Sequence, residues 1–178
     1  MSHSNIISRK DGRSRKRWQP PNGVGGLSKV VAPRSFPTEG AWRDGKLEVL
    51  AGLALFGGCS HKQLVRLGRI TELARVQPGG SVLTQGDLYR WWVVIASGSA
   101  LVLRDDLPLA VLGPGDWCGE GPIVRRSPSE VSLVAMTPME IVLMDGQRFL
   151  ELPYRFPEVA TYLVRTLSAR SFQFFPDD

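Results

Sequence analysis

The spacing of apolar residues changes twice along the chain, which predicts helices on both sides of a β-rich middle. Lys46–Phe56 is mostly apolar and predicts a helix, and Gly57-Gly58 after it favour a helix stop. Ser60 is a suitable N-cap for a second helix. In that second helix the apolar residues recur at helical spacing, at Leu64, Val65, Leu67 and Ile70.

The middle of the chain consists of short apolar and β-branched runs that are separated by Gly, Pro or Asp. This punctuation is typical of turns between antiparallel strands. The runs are Glu72–Gln77, Ser81–Thr84, Trp91–Ala96, Ala100–Arg104, Pro108–Leu112, Val131–Met136 and Glu140–Met144. They predict a mainly β fold, either a double-sheet jelly roll or a closed β-barrel. Because adjacent strand residues face opposite sides, one of Trp91 and Trp92 is expected in the core and the other at the surface or at an interface.

The helical spacing returns near the C-terminus. Gln147–Leu152 fits one short helical turn, and Pro157 suits the first turn of a longer helix. Its apolar stripe consists of Val159, Tyr162, Leu163, Thr166 and Leu167. Residues 173–178 form a short aromatic tail, which we expect to dock on the protein's own core or on a partner.

The positive charge of the chain is concentrated at its N-terminus. Residues 1–46 contain ten Lys and Arg against three Asp and Glu, whereas the remainder contains twelve against fourteen. The first 45 residues are also rich in Gly, Pro and Ser and lack helical or strand periodicity. The sequence therefore predicts a basic, extended arm over residues 1–45, one domain over residues 46–172, and the tail.

A basic run with one aromatic residue lies in this arm. It consists of Arg9, Lys10, Arg13, Arg15, Lys16, Arg17 and Trp18. Such residues suit an anionic partner, because Lys and Arg neutralise phosphates and an indole stacks on a base. The partner would be a nucleic acid or an acidic protein surface, and the alternative is a solubilising tail.

Several classes of protein are disfavoured by the composition. Cys59, Cys118 and the two histidines form no metal-binding or disulfide motif, so we expect free thiols, no metal and no cofactor. No apolar stretch is long enough for a membrane helix, and no signal peptide is evident, which predicts a cytoplasmic protein without a membrane partner. The sequence shows no nucleophile-and-base pair and no phosphate-binding glycine loop, so we do not expect an enzyme.

An ordered set of turns resembles the cyclic-nucleotide-binding domain family over residues 47–170. The set consists of Pro78-Gly79-Gly80, Gln85-Gly86-Asp87, Gly98, and Leu112–Asp116 leading into Gly119-Glu120. No single turn is specific, but their order and spacing together are. The resemblance implies an eight-stranded antiparallel jelly roll or β-barrel, flanked by N-terminal and C-terminal helices.

The family's phosphate-binding cassette matches residues 118–130 in spacing, beginning at Cys118, Gly119 and Glu120. By this resemblance Glu120 would accept the ribose 2′-hydroxyl, and backbone N–H groups around Gly121 and Pro122 would face the phosphate. Pro122, however, has no N–H. The family has an arginine for the cyclic phosphate where this chain has Ser129, and a small residue where it has Glu130.

These departures weaken the expected phosphate site. Loss of a charge-assisted hydrogen bond costs about 1.5–3 kcal/mol, and the Glu130 carboxylate is expected to repel a phosphate. Arg125 and Arg126 are the two candidates for a substitute cation.

Three functions follow from this reading. The first is a non-catalytic regulatory or protein-interaction module that has lost the usual ligand and binds a protein partner. The second is a working sensor of cyclic AMP, cyclic GMP or another small ligand. The third is association with nucleic acid through the basic arm.

Overall fold

The computed structural model describes the backbone of residues 39–88 and 90–174, and the side chains of residues 45–88 and 90–166. The basic run from Arg9 to Trp18 lies outside the described residues, as do residues 175–178 of the predicted tail. No helix within the described residues is long and apolar enough to cross a membrane.

Two helices and a short 3₁₀ turn precede the sheets. Helix α1 spans Glu39–Gly52, the 3₁₀ turn spans Ala54–Phe56, and helix α2 spans His61–Ile70. The predicted helix Lys46–Phe56 was therefore wrong in its bounds, because the helix begins seven residues earlier and Leu53 is extended. The predicted cap of α2 is confirmed: the Ser60 hydroxyl accepts from the Gln63 N–H, and the Gln63 side chain accepts from the Ser60 N–H.

Within the described residues, eight antiparallel strands form two four-stranded sheets, which confirms the mainly β jelly-roll prediction. Their bounds are β1 Thr71–Val76, β2 Ser81–Leu83, β3 Trp91–Ser97, β4 Ala100–Arg104, β5 Leu107–Leu112, β6 Trp117–Cys118, β7 Ser132–Ala135 and β8 Met139–Asp145. The first sheet has the order β1-β8-β3-β6, and the second has the order β2-β7-β4-β5. The sequence pattern missed β6, because two residues are too few to show a period.

The helices, the first sheet and the second sheet form successive layers. Strand β3 of the first sheet contacts the layers on both sides. Trp92 and Val94 on one face of β3 pack in a cluster with residues of the helices, among them Leu50 and Leu67. Val93 and Ile95 on its other face pack against residues of the second sheet. A strand covered on both faces has no polar side, so residues 92–95 are all buried.

Of the pair Trp91 and Trp92, Trp92 lies in the core as predicted, whereas Trp91 packs partly buried against the cluster between the two sheets. Trp92 is fully buried, with its ring centroid 5.0 Å from that of Phe149. Trp91 is half-buried, and the guanidinium carbon of Arg90 lies 5.6 Å from the centroid of its ring.

The second sheet carries a separate apolar cluster. It consists of Leu101 and Leu103 on β4 and Val134 on β7. Leu101 pairs across the sheet with Val111, which is 57% exposed. This face of the sheet is therefore apolar without belonging to either main core.

Three helices complete the fold. Helix α3 (Glu120–Arg125) follows β6, helix α4 (Gly146–Arg155) follows β8, and helix α5 spans Pro157–Phe174. Helix α4 is longer than the predicted turn Gln147–Leu152 and contains Pro153. Helix α5 begins at Pro157 as predicted and continues into the first two residues of the predicted tail.

Candidate functional site

The cassette matched by the sequence is a short helix and loop between β6 and β7. Gly119 precedes the helix with a φ of +97°, in the left-handed region that favours glycine. A Cβ at this position would collide with the Trp91 carbonyl oxygen. Gly119 is therefore required here for both its conformation and its close contact with β3.

Glu120, Gly121 and Pro122 form the first turn of α3. Proline is tolerated there because the first N–H groups of a helix have no partner within it. Glu120 is half-buried in this turn, where the positive end of the helix dipole favours a carboxylate. Ile123 is buried and packs in the cluster that joins the helices to the first sheet, so the turn is anchored from below.

The helix ends at Arg126, which has a φ of +52° and is exposed. Its N–H donates to the Pro122 carbonyl oxygen, and the Ser127 N–H donates to the same oxygen at 3.3 Å. These bonds reverse the chain and direct it towards Ser129. Of the two arginines predicted as substitute cations, Arg126 is thus the exposed end of the helix.

Ser129, at the position of the family's phosphate-binding arginine, is 3% exposed. Its hydroxyl donates to the Val131 carbonyl oxygen at 2.7 Å and accepts from the Val131 N–H at 3.3 Å. Its backbone N–H donates to the Asp87 carbonyl oxygen at 2.9 Å, and its carbonyl oxygen accepts from the Gly86 N–H at 2.8 Å. Ser129 therefore fixes the cassette to the turn after β2, with its hydroxyl engaged by its own loop.

Glu130 is paired with two arginines. Its Oε1 lies 2.7 Å from Nη2 of Arg125, and its Oε2 lies 3.6 Å from Nη2 of Arg104. The sequence predicted that the Glu130 carboxylate repels a phosphate, and the structure places two guanidinium groups beside that carboxylate. Arg104 was missed because it lies 26 residues before Glu130 and only the sheet brings the two together.

Arg125 extends back over the first turn of its own helix. A Cβ added at Gly121 would lie 3.0 Å from Nη2 of Arg125. The guanidinium group therefore lies between the backbone of Gly121 and the carboxylate of Glu130. Of the two predicted cations, the structure brings Arg125 to the other cassette residues.

The turns beside the cassette are linked to each other. Gln85 donates from Nε2 to Oδ1 of Asp105 at 2.9 Å, and its Oε1 accepts from the Asp105 N–H at 2.8 Å. This pair of bonds connects the turn after β2 to the β4–β5 turn. The connection lies next to Arg104 in the chain and so helps to position it.

Other chemistry is sparse in the part of the chain that the structure describes. It contains no group of three or more His, Cys, Asp or Glu residues suited to a metal ion. Both Cys59 and Cys118 are free thiols and are half-buried. Burial, with a contribution from the charge of Glu158, raises the pKa of the Cys59 thiol, which disfavours a reactive thiolate.

Comparisons with known proteins agree with this fold. The family defined by the cyclic nucleotide-binding domain matches residues 73–153. The "Cyclic AMP receptor protein" of Thermus thermophilus is 31% identical over 127 residues, which cover 68% of this chain and 58% of that protein. The crystal structure of the Thermus thermophilus catabolite activator protein superposes with a TM-score of 0.58 at 28% identity, over 65% of this chain and 57% of that one.

A third relative differs in its dependence on ligand. The regulatory subunit of a "cAMP-independent protein kinase A" from Trypanosoma brucei superposes with a TM-score of 0.61 at 19% identity, over 71% of this chain and 46% of that one. A mutant of that subunit is described as bound to cAMP, and two of its three substitutions place arginine and alanine at adjacent positions.

The chain thus spans little more than half the length of the Thermus relative and less than half of the trypanosome structure. The match is therefore to a domain of these proteins. The family match, the Thermus identity and the shared fold together show that this chain belongs to the cyclic-nucleotide-binding domain family.

Proposed function

We propose that this domain is a non-catalytic regulatory or protein-interaction module that does not bind a cyclic nucleotide in the usual way. The observation that carries the proposal is Ser129. It is buried at the position where the family resemblance places an arginine, and its hydroxyl is bonded within its own loop. A neutral side chain engaged in this way offers a cyclic phosphate no charged donor.

The groups around Ser129 support the same conclusion. The nearby cation of Arg125 is paired with Glu130, and so is that of Arg104. Pro122 contributes no N–H to the first turn of α3. A phosphate entering the cassette would have to displace the Glu130 carboxylate from its arginines. It would also find one backbone N–H donor fewer than in a cassette without a proline at residue 122.

One structural neighbour, in its native and mutant forms, makes a regulatory role without the usual ligand reasonable. The trypanosome subunit has this fold and is described as cAMP-independent, so the fold serves a kinase regulatory subunit without that dependence. Its cAMP-bound mutant gains an arginine and an adjacent alanine. By the family resemblance, Ser129 and Glu130 of this chain stand at the two adjacent positions where the family has an arginine and a small residue. A protein partner is proposed because regulatory subunits act on another protein.

Calorimetric titration with cyclic AMP and cyclic GMP tests the proposal. We expect no saturable heat, or a dissociation constant weaker than about 100 µM for both nucleotides. The matched control is Glu120→Gln, since the resemblance assigns Glu120 to the ribose. A dissociation constant below about 10 µM in the native protein, weakened in the Glu120→Gln variant, would overturn the proposal.

A second candidate function is a ligand sensor that uses Arg125 for the phosphate. It is favoured by the position of Nη2 of Arg125 beside Gly121 in the first turn of α3. The same titration separates the candidates when Arg125→Gln is added. A sensor of this kind would bind cyclic nucleotide in its native form and lose that binding in the variant.

A further inference from the structure

We propose that the outer face of the second sheet is the docking site for a segment of this chain's own N-terminal arm, residues 27–36. The outer face is defined by Leu101 and Leu103 of β4, Val134 of β7 and Val111 of β5. The segment reads LSKVVAPRSF, precedes α1 and lies outside the described residues. This surface is separate from the cassette, so the inference goes beyond the proposed function and does not depend on it.

The first step is the pattern of strand β4. Its residues Ala100 and Val102 belong to the core between the two sheets, whereas Leu101 and Leu103 form the separate cluster on the outer face. A strand with one solvated face alternates apolar and polar residues, but residues 100–103 are all apolar and all buried. Strand β4 therefore has the same pattern as β3, which is covered on both of its faces.

The second step is the burial of the outer face. Leu101, Leu103 and Val134 are 8%, 5% and 6% exposed, as little as many core residues. Within the described residues their cluster consists of strand residues alone, whereas the cluster on the first sheet includes helix residues such as Leu67 and Leu152. This burial belongs to a single copy of the chain, so it favours a cover from the same chain over a second copy.

The third step is the choice of segment, which length and charge decide. At the C-terminus residues 175–178 are only four, and two of them are aspartates. Residues 27–36 have five apolar residues besides proline, two basic residues and no acidic one. The β4–β5 turn, at one end of the outer face, carries Asp105 and Asp106. A basic, apolar segment complements an apolar face that ends in two carboxylates.

The fourth step is reach. Helix α1 begins at Glu39 and packs in the helix layer through Leu50. Packed layers are about 10 Å apart, so the second sheet lies about 20 Å from the helix layer, with the first sheet between them. Residues 27–38 span up to about 40 Å when extended. The segment can therefore pass around the edge of the sheets and reach the outer face.

Limited digestion of the full chain by trypsin is the first test, with the cleaved bonds identified by mass spectrometry. Trypsin cuts after Lys and Arg, so Lys29 and Arg34 report on the docked segment and the basic run from Arg9 to Arg17 reports on the rest of the arm. We expect cleavage after Lys29 and Arg34 to be at least about tenfold slower than within the basic run, because a docked segment is cut only when it is released.

A substitution on the sheet tests whether the outer face is what protects the segment. Val111→Asp places a carboxylate among the apolar residues of the face, at a side chain that is 57% exposed. It is expected to raise cleavage after Lys29 and Arg34 at least about tenfold. The matched control is Val164→Asp, the same change at a 65% exposed residue of α5, which should leave the cleavage pattern unchanged.

A substitution in the arm gives a second readout that does not alter the domain itself. Changing Val30 and Val31 together to Asp is expected to make the amides of β5 exchange with deuterium at least about fivefold faster, because the cover is lost. The amides of β1, an edge strand of the first sheet, should not change. The control changes Ser8 and Ser14 to Asp, which adds the same charge elsewhere in the arm and should leave β5 unchanged.

Three results would overturn the inference. The first is cleavage after Lys29 as fast as in the basic run, and the second is no effect of a folded Val111→Asp variant on that cleavage. The third is unchanged exchange of β5 when Val30 and Val31 are substituted, and this result decides the matter if Val111→Asp fails to fold. Protection of β5 that disappears on tenfold dilution of the protein would also overturn it, because a second copy would then be the cover.

Discussion

At the scale of single residues, neighbouring side chains of the cassette have different tasks: one forms hydrogen bonds that fix the backbone, and the next forms ion pairs. Ser129 fixes the local backbone through four hydrogen bonds to Gly86, Asp87 and Val131. Glu130 beside it binds two cations. In the family, the first of these positions supplies a cation to the phosphate and the second leaves space for it. In this chain, Ser129 instead holds the local backbone, and Glu130 pairs with arginines.

We predict that Ser129→Arg combined with Glu130→Ala gives measurable affinity for cyclic AMP. The pair supplies a charged donor and removes a carboxylate, which is worth about tenfold to a hundredfold in affinity. Calorimetry on the native, single and double variants measures it. Ser129→Arg alone should gain less, because Glu130 would pair with the new guanidinium. Absence of binding in the double variant would show that Pro122 or the packing around residue 129 also blocks the site.

A second residue prediction concerns Gly119. Substitution by alanine should lower the free energy of unfolding by about 1–3 kcal/mol, because the backbone is left-handed and the Cβ meets the Trp91 carbonyl oxygen. Urea denaturation of Gly119→Ala measures this loss. The control is Gly113→Ala, where an added Cβ has nothing within 4 Å and should change stability by less than about 0.5 kcal/mol. Equal stability of the two variants would contradict the prediction.

At the scale of secondary-structure elements, the helices are joined to the first sheet by apolar packing and by a long polar bridge. Lys46 of α1 donates from Nζ to the carbonyl oxygens of Gly68 at 2.9 Å and Thr71 at 2.6 Å. Those carbonyls lie at the C-terminal end of α2 and the start of β1. A cation there satisfies acceptors that the helix cannot and complements its dipole. The bridge therefore fixes α1 against the junction of α2 and β1.

We predict that Lys46→Met destabilises the protein by about 1 kcal/mol, because two partly buried carbonyl oxygens lose their donor while the aliphatic stem is kept. Urea denaturation measures this, with the exposed Lys62→Met as control. The effect should depend on pH. Burial lowers the pKa of Lys46, against the opposing charge of Glu72.

The sign of that dependence follows from proton binding. With the folded pKa below the unfolded one, the unfolded chain binds more protons between the two values, so the contribution of Lys46 to stability rises with pH in that window. The native protein should therefore gain stability as the pH rises through the window below the ordinary lysine pKa of about 10.4, and Lys46→Met should lack that gain. The same pH profile in both proteins would contradict this assignment.

At the scale of the whole molecule, net charge is divided along the chain. Residues 1–46 carry a net positive charge, with ten basic against three acidic residues, whereas the rest carries twelve basic against fourteen acidic residues. A polyanion is therefore expected to contact the N-terminal segment, which lies outside the described residues, and not the domain.

We predict that binding of the full chain to a single-stranded RNA depends on the basic run. Changing Arg13, Arg15, Lys16 and Arg17 to Gln should flatten the plot of log affinity against log salt by up to about 3 units, at about 0.7 per lost phosphate contact. The matched control changes four exposed basic residues of the domain to Gln, namely Lys62, Arg66, Arg69 and Arg165. If the control loses affinity and the arm variant does not, the domain surface is the contact.

The sequence by itself determined the order of helices and strands, because each depends on local signals. Periodicity, the Ser60 cap and turn residues such as Gly98, with a φ of +82°, act within a few residues. The spacing of the cassette likewise identified four candidate site residues, namely Gly119, Glu120, Ser129 and Glu130. The pattern misplaced the bounds of the first helix and missed the two-residue strand β6, because local signals are weak there.

Only the tertiary structure decided what the charges of the cassette do. Glu130 faces Arg104, a residue of strand β4, and the half-exposed side chain of Arg125 turns back to Gly121 and Glu130. The burial of Ser129 likewise depends on the turn after β2, more than 40 residues earlier in the chain. A charged or polar side chain takes its partner from whatever the fold brings within a few ångströms, and sequence spacing carries no record of that distance.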